Sequence, residues 1–254
     1  MIRWTGRLRQ GISVLATACR GLLFPPRCAA CDVELLEADG SWSFCADCLT
    51  RLAPLAWPGC RRCGAEVIDG GFSPERCPCC KGLSLRFDAA VILGSYHAGL
   101  GDLVLRMKRP MQNGLSRAMG RLLAERRREE LRGLGASLIV PIPMFWARWL
   151  RRGINNPDVL AGCLGQSLGI SVRRHVLIKH RNTLPQAHLP PSRRFENVRG
   201  AFRVRDAHAV RGAHVLLVDD VLTTGATCSE AAKMLKQAGA ASVAVAVVAR
   251  AQGR

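Results

Sequence analysis

Residues 215–227, VLLVDDVLTTGAT, are the stretch from which the fold can be predicted. Four apolar residues lead into the adjacent carboxylates of Asp219 and Asp220, a loop of small residues follows, and the next residues can form a helix. In open parallel α/β sheets, ligands bind at the carboxyl ends of the strands. This order therefore predicts a strand, a binding loop and a helix, with the carboxylates at a pocket. The simpler alternative, an aspartate that caps the helix, leaves the second carboxylate and the threonines unexplained.

The loop has the features of a phosphate-binding site, and its residues are Thr223, Thr224, Gly225, Ala226 and Thr227. Backbone N–H groups at a helix N-terminus favour a phosphate, and the glycine allows the ligand to approach the backbone closely. The G-x-x-x-x-G-K-[ST] spacing of a P-loop is absent. Because carboxylates accept hydrogen bonds from hydroxyl groups, the loop and the aspartates together predict a pentose-phosphate site. Adjacent strand residues point to opposite faces, so we expect only one aspartate to project into the site unless the chain turns there.

The chain after residue 86 alternates between apolar runs and amphipathic segments. Strands are predicted at residues 87–94, 137–143, 172–178, 214–220 and 242–249. Helices are predicted at residues 100–109, 115–131, 158–168 and 226–237, and a long polar loop at residues 179–200. Near-continuous apolar strands that alternate with helices indicate a parallel sheet covered on both faces. The charge run ERRREE, residues 125–130, is interpreted as a solvated helix face.

Eight cysteines form a repeated motif of the spacing C-x2-C-x13-C-x2-C. The first set is Cys28, Cys31, Cys45 and Cys48, and the second, displaced by 32 residues, is Cys60, Cys63, Cys77 and Cys80. Two such C-x2-C pairs can place four thiolates tetrahedrally around Zn²⁺, so the repeat predicts two structural zinc sites. A disulfide framework would need an oxidising compartment, and no convincing export signal supports one. Cys79 could replace a neighbouring ligand in the second set.

Length and composition indicate one sizeable domain and one small domain. The chain has 254 residues, with 37 lysines and arginines against 19 aspartates and glutamates, for a net charge of +18. We expect an N-terminal amphipathic segment at residues 1–27, a double zinc ribbon at residues 28–85 and the α/β domain at residues 86–254. The basic excess fits either general attraction of polyanions or a specific polyphosphate or nucleic-acid ligand. No apolar run is long enough for a transmembrane helix, and we expect a cytoplasmic protein.

The motif VLLVDDVLTTGAT resembles the phosphoribosyl-diphosphate (PRPP) motif of type I phosphoribosyltransferases. Three further segments, LLFPPRCAAC (22–31), VPIPMFWARWLRRGINN (140–156) and RNTLPQAHLPPSRRFENVRGAF (181–202), occur in the order found in the ComF (ComFC-like) family. The resemblance covers nearly the whole chain. It implies a double zinc ribbon joined to a parallel-sheet type I phosphoribosyltransferase domain at residues 86–254. The chain departs from the family pattern at residues 152–156, which read R-G-I-N-N where the family usually has R-G-F-N-Q. This departure bears on recognition of the acceptor.

The resemblance also implies a role for each part of the site. Asp219 and Asp220 bind the ribose hydroxyls and are the catalytic residues, and Thr223–Thr227 binds the 5-phosphate. Arginines suit pyrophosphate because the planar guanidinium pairs with two phosphate oxygens, and the three in the matching position are Arg148, Arg151 and Arg152. A flexible hood, which excludes water from a reactive intermediate, is implied for the segment that contains Gln186, Arg194 and Asn197.

The implied reaction is Mg²⁺-dependent transfer of the phosphoribosyl group from PRPP to an unidentified acceptor, in a protein linked to DNA uptake and competence. The alternative is a non-catalytic adaptor that keeps the PRPP pocket and binds single-stranded DNA or a DNA-uptake helicase. A zinc-dependent hydrolase is disfavoured, because two closed four-cysteine sites leave no open coordination position. The spacing of the histidines selects no general base among His97, His175, His180 and His188.

Overall fold

The computed structural model describes residues 26–35, 43–66, 77–80, 83–110 and 112–251. These residues form two compact units, the first ending at Leu49 and the second beginning at Thr50. The predicted amphipathic segment at residues 1–27 lies outside the described residues except for its last two positions. No helix within the described ranges is long and apolar enough to cross a membrane.

Six strands and eight α-helices occur in the described part of the chain. The strands are β1 (Ala89–Ser95), β2 (Leu138–Pro141), β3 (Leu177–Lys179), β4 (Phe202–Val204), β5 (His214–Leu222) and β6 (Ser242–Arg250). The helices are α1 (Ala46–Leu52), α2 (Gly101–Met107), α3 (Asn113–Arg126), α4 (Arg128–Gly133), α5 (Trp146–Arg152), α6 (Asn156–Leu168), α7 (Pro191–Val198) and α8 (Ala226–Gln237). A π-helical turn lies at Tyr96–Leu100, and 3₁₀ turns lie at Gln186–His188 and His208–Val210. The bounds predicted for α8 from the sequence agree with the structure.

The main sheet of the second unit has four parallel strands in the order β1-β6-β5-β2. Leu217 of β5 lies opposite Val245 of β6, and Asp219 lies opposite Val247. All of β2 and most of β5 and β6 are buried, as expected of a parallel sheet with helices on both faces. The predicted parallel α/β domain is therefore confirmed.

Helices cover the two faces of this sheet. On one face, α8 places Leu235 in the same buried cluster as Leu217 of β5. Because side chains alternate along a strand, Leu216 points to the opposite face, against which α3 and α6 pack. These two helices approach closely at Gly120, where an added Cβ atom would lie 2.9 Å from Cβ of Cys163. With both faces covered, the carboxyl ends of the strands are the expected place for a ligand.

The prediction of a polar loop at residues 179–200 is wrong. Pro191–Val198 forms α7, and β3 pairs antiparallel with β4 in a separate two-stranded sheet. The charged composition of α7 weakens its apolar periodicity, although a proline in the first turn favours a helix start. Helix α5 has no buried residue, and its seven residues are too few to establish a helical period in the sequence.

Arg127 corrects the interpretation of residues 125–130 as a solvated face. Its side chain is fully buried and lies at the break between α3 and α4. The guanidinium donates hydrogen bonds to the carbonyls of Ile92 and Leu93, both at 2.7 Å, and to that of Leu55 at 2.9 Å. Glu130 lies 3.7 Å away. A buried guanidinium requires such acceptors, and these are distant in sequence, so local periodicity could not identify them.

Candidate functional site

The predicted phosphate loop connects β5 to α8. Strand β5 continues past both aspartates to Leu222, and a short turn then leads into the helix. The turn ends at Gly225, whose φ of 80° is left-handed and whose Cβ, if present, would lie 3.0 Å from Cδ2 of Leu85. Both features favour glycine at this position. An open, shallow pocket lies beside the turn and is lined by Gln186, Asp219 and residues 221–228.

The start of α8 gives this pocket its anion-binding character. The first N–H groups of a helix have no acceptor within the helix, and the helix dipole adds positive potential at the same end. Oγ1 of Thr224 accepts a long hydrogen bond of 3.4 Å from N–H of Ala226. A helix N-terminus of this kind can accept an anion.

The two aspartates have different environments. Asp219 lines the pocket, whereas Oδ2 of Asp220 lies 3.5 Å from Nζ of Lys108 at the end of α2. Oδ1 of Asp219 accepts the N–H of Asp220 at 2.8 Å, and Sγ of Cys228 lies 3.8 Å from its Oδ2. Burial first, and then the negative charge of Asp220, raise the pKa of Asp219 to about 8. A bound group that donates hydrogen bonds to Asp219 would therefore compete with a proton.

The three predicted hood residues lie close together in the structure. Nε2 of Gln186 donates to Oγ1 of Thr227 in the loop and to the carbonyl of Arg194, each at 3.3 Å. Nδ2 of Asn197 donates to Oε1 of Gln186 at 3.3 Å and to the carbonyl of Leu184 at 3.0 Å. Arg194 itself bonds to a backbone carbonyl of its own segment. Gln186 thus contacts the loop directly, and Asn197 holds Gln186 in place.

The three predicted pyrophosphate arginines lie on α5. Nη2 of Arg148 donates to the carbonyl of Thr183 at 3.0 Å, which joins α5 to the segment that leads to the hood. Arg151 is exposed and Arg152 is half-buried. Burial first, and then the positive charges of Arg152 and Arg151, lower the pKa of Arg148. None of the three pairs with an acidic side chain in the described part of the chain, so an anion placed here would relieve their mutual repulsion.

Three residues around the aspartates do not follow from any sequence motif, namely Lys108, Lys179 and Cys228. Burial first, and then the charge of Arg148, lower the pKa of Lys179 to about 8, while the charge of Asp219 opposes this shift. The three residues come from the end of α2, the end of β3 and the first turn of α8. The one available signal was the position of Lys179 at the carboxyl end of a predicted strand, where ligands bind.

The R-G-I-N-N segment is used for internal packing. Nδ2 of Asn155 donates to the carbonyl of Ile142 at 3.0 Å, and Oδ1 of Asn156 accepts a bond from Oγ of Ser116 at 3.1 Å. Both asparagines are buried. Their amides are therefore committed to holding α6 in place.

Both cysteine sets converge as predicted, with the ligand atoms of each set within 4.8 Å of one another. The Sγ–Sγ distances are 3.7 Å for Cys31–Cys45, 3.7 Å for Cys60–Cys80 and 3.8 Å for Cys63–Cys77. A tetrahedral site with Zn–S bonds of about 2.3 Å has sulfur–sulfur edges of about 3.8 Å, so the thiols fit Zn²⁺. Cys79 is exposed and lies outside the second cluster, which contains Cys77 and Cys80 instead.

The backbone conformation around the cysteines repeats at the same 32-residue interval as the cysteine motif. N–H of Asp32 donates to the carbonyl of Cys28 at 2.8 Å, and N–H of Gly64, 32 residues later, donates to that of Cys60 at 2.7 Å. Asp32 and Gly64 both have left-handed φ angles, 64° and 67°. Single antiparallel bridges join residues 27 and 34 in the first set and residues 59 and 66 in the second. The first C-x2-C turns of the two cysteine sets are thus built alike, and we call the two four-cysteine sets the first and second knuckles.

These features define a class of protein, a parallel α/β domain with a phosphate loop, preceded by two four-cysteine sites. The family model of the phosphoribosyl transferase domain matches residues 138–254, and that of the double zinc ribbon domain matches residues 19–81. The chain is therefore a protein with a phosphoribosyltransferase fold and an N-terminal double zinc ribbon.

Similar proteins narrow the class to one family. Competence protein F of Haemophilus influenzae is 30% identical over 229 residues, which cover 89% of this chain and 97% of that protein. DNA utilization protein YhgH of Salmonella typhi is 31% identical over 227 residues, which cover 88% of this chain and 96% of that protein. A solved hypoxanthine phosphoribosyltransferase from Trypanosoma cruzi has a TM-score of 0.32 and 19% identity, covering 53% of this chain and 67% of that one. The chain belongs to the ComF family.

Proposed function

We propose that the chain binds PRPP together with Mg²⁺ and transfers its phosphoribosyl group to an acceptor. The observation that carries this proposal is the pocket between Asp219, Gln186 and the loop at residues 223–227. The helix N-terminus would hold the 5-phosphate, and the carboxylates would accept hydrogen bonds from the ribose hydroxyls. The match to the phosphoribosyl transferase domain supports PRPP as the ligand.

In the proposed reaction, the bond from C1 of the ribose to pyrophosphate breaks and a bond from C1 to the acceptor forms. The proton of the acceptor passes to a base or to water. Arg148, Arg151 and Arg152, with Lys179, would hold the leaving pyrophosphate, because an anion relieves the repulsion among these cations. Mg²⁺ bound with PRPP would supply further stabilisation of the charge on the leaving group. Gln186, which donates a hydrogen bond to Thr227, would hold the hood against the loop and so help to exclude water.

The test is a calorimetric titration of PRPP with Mg²⁺ into zinc-loaded protein. The change Asp219→Ala/Asp220→Ala removes both hydroxyl acceptors, and each hydrogen bond to a charged group contributes about 1.5–3 kcal/mol, so we expect a loss of affinity of about 100-fold or more. Glu129→Ala, whose side chain is 88% exposed, is the control and should bind like the wild type. Pyrophosphate release in a panel of nucleobases would then identify the acceptor. A folded, zinc-loaded wild type that does not bind PRPP would overturn the proposal.

The biological context that we propose is the handling of DNA in the cytoplasm. The relatives named Competence protein F and DNA utilization protein YhgH support a link to DNA. Eight thiolate ligands support a reducing compartment, because cytosolic thiols are kept reduced.

A second candidate function, favoured by one observation, is an adaptor that keeps the PRPP pocket and binds single-stranded DNA or a helicase partner. Helix α5 exposes Trp146 by 64%, Trp149 by 49% and Leu150 by 65%. The two tryptophans are three positions apart and so lie on neighbouring parts of one helix face, beside Arg151. Aromatic side chains next to a positive charge bind single-stranded nucleic acid by stacking on its bases.

Fluorescence anisotropy with a labelled single strand tests this candidate. Base stacking contributes about 1–3 kcal/mol per base, so Trp146→Ala/Trp149→Ala should weaken binding by about 10-fold or more. Leu55→Ala, an apolar side chain that is 81% exposed elsewhere, is the matched control. If the wild type shows no salt-dependent binding, or if both variants bind like the wild type, α5 is not a DNA platform.

A further inference from the structure

The second knuckle is part of the core of the second unit. Cys60, Cys63 and Cys77 are buried in the same cluster as apolar side chains of β5, β6 and α8. N–H of Ala90 in β1 donates to the carbonyl of Arg61 between the first two of these cysteines, at 2.8 Å. The knuckle is therefore fixed to the main sheet by a backbone hydrogen bond as well as by apolar packing.

One side chain links this knuckle to the phosphate loop. Arg250, the last residue of β6, is only 6% exposed. Its Nε donates to the carbonyl of Cys63 at 3.0 Å, and its Nη1 donates to the carbonyl of Leu222 at 3.0 Å and also to that of Thr223. A single rigid guanidinium thus joins a metal ligand's backbone to the two residues at which the loop begins.

A second set of contacts leads from the same cysteine set to the same loop. After Cys80, the chain passes residues 84–86, and Oγ of Ser229 accepts N–H of Arg86 at 3.0 Å and donates to the carbonyl of Ser84 at 3.3 Å. Leu85 lies directly against Gly225, as its 3.0 Å approach to an added Cβ indicates. The loop and the first turn of α8 therefore rest on the segment that leaves the second knuckle.

The charge of Arg250 provides a physical reason for coupling to the metal. Arg250 has no acidic side-chain partner in the described part of the chain. A buried cation without a compensating charge is strongly unfavourable. Four thiolates around one Zn²⁺ carry a net charge of about −2, so the occupied site would supply the negative charge beside Arg250.

We propose that Arg250 is a positioning residue that couples metal occupancy of the second four-cysteine site to the geometry of the phosphate loop. The metal would fix the backbone at Cys63. Arg250, which is hydrogen-bonded to the carbonyl of Cys63, would in turn fix the carbonyls of Leu222 and Thr223. The consequence for PRPP affinity rests on the proposed function, whereas the coupling to the loop itself does not. The first knuckle, in the other unit, serves as the internal control.

Hydrogen–deuterium exchange of the amides at residues 222–228, measured without PRPP, tests the coupling. Cys80→Ser weakens the second site, Cys48→Ser changes the equivalent position of the first, and Arg250→Lys keeps a charge but loses the planar fork. We expect Cys80→Ser to speed exchange in the loop about 10-fold, within the usual range of coupling energies, and Cys48→Ser to leave it unchanged. In the Arg250→Lys background, Cys80→Ser should have a clearly smaller effect, because one of the two links between the second site and the loop is already lost.

Three results would overturn the inference. The first is unchanged loop exchange in Cys80→Ser, and the second is an equal effect of Cys80→Ser in both backgrounds, which would mark Arg250 as merely structural. The third is a loss of protection in α3 as large as that in the loop, which would show that the loop responds only to the lowered stability of the whole unit. PRPP titration of the same proteins separates the two proposals, since a wild type that shows loop coupling but binds no PRPP would refute only the proposed function.

Discussion

The two knuckles share their cysteine spacing and their backbone hydrogen bonds, yet they differ in what surrounds them. In the first set, Cys31 is exposed and Cys45 is half-buried, whereas in the second set Cys60, Cys63 and Cys77 are buried. The first belongs to the unit that ends at residue 49, and the second to the unit that carries the phosphate loop.

This difference shows that an identical ligand pattern does not determine what a metal site supports. A four-cysteine zinc site in a small ribbon supplies folding energy to that ribbon. The second knuckle has the same local chemistry, but its backbone bonds to β1 and to Arg250. Its metal would therefore support the α/β domain and the loop within it. The predictions below test this contrast, in order of decreasing expected effect.

The largest effect should follow from removing two ligands of each site in turn. Cys60→Ser/Cys63→Ser should lower the free energy of unfolding of the second unit by several kcal/mol, because structural zinc contributes about 10–16 kcal/mol of apparent binding energy. Cys28→Ser/Cys31→Ser should change it by less than about 1 kcal/mol. Denaturant unfolding followed by circular dichroism measures both. Equal effects would contradict the contrast.

The next effect concerns the segment between the two cysteine sets. Arg127→Met leaves the carbonyl of Leu55 without its buried partner, along with those of Ile92 and Leu93. We expect a loss of about 3 kcal/mol in the free energy of unfolding. Arg132→Met, at a side chain that is 58% exposed, should cost less than about 0.5 kcal/mol. A small effect at Arg127 would mean that this side chain does not hold residue 55 to β1.

Gly225→Ala tests the contact between the loop and the segment that leaves the second knuckle. Alanine at position 225 would have to keep a left-handed φ, and its Cβ would lie 3.0 Å from Leu85. We therefore expect the free energy of unfolding to fall by about 2 kcal/mol. Gly169→Ala is the matched control, because Gly169 has a φ of 71° but no atom within 4 Å of the added Cβ. In that variant the free energy of unfolding should fall by only about 1 kcal/mol. Thermal unfolding of the two variants separates backbone strain from contact.

The smallest expected effect lies on the pocket side of the loop. Asp219 has a pKa of about 8 in the folded state and about 3.9 in an unfolded chain. Between these values the folded state retains a proton that the unfolded state loses, so this residue's contribution makes the unfolding free energy fall as pH rises from about 4 to 8. Relative to the wild type, Asp219→Asn should therefore become more stable with rising pH, by at least about 1 kcal/mol at pH 8. Urea unfolding at pH 5 and pH 8 checks the sign, and a variant that is relatively less stable at pH 8 would contradict it.

The amino-acid sequence predicts the parts of this molecule that repeat or alternate. The buried strands, the bounds of α8 and the eight cysteine ligands all follow from local patterns, because apolar period and ligand spacing are local properties. The buried Arg127 and the bridge made by Arg250 do not, because their acceptors are backbone carbonyls that are distant in sequence. Helix α5 and the surroundings of Lys179 do not follow from local patterns either, since a helix of seven residues is too short to show a period and a pocket is assembled from several elements.

The most direct test of the central claim is the affinity for PRPP with Mg²⁺ in two variants, prepared with the same zinc supply, that differ only in which site is changed. Cys80→Ser and Cys48→Ser occupy equivalent positions, and circular dichroism can verify that both are folded under the conditions of the titration. We expect Cys80→Ser to bind PRPP about 10-fold or more weakly than the wild type, and Cys48→Ser to bind within about twofold of it. Equal affinities in the two variants, with a wild type that binds, would contradict the claim that the second site supports the phosphate loop.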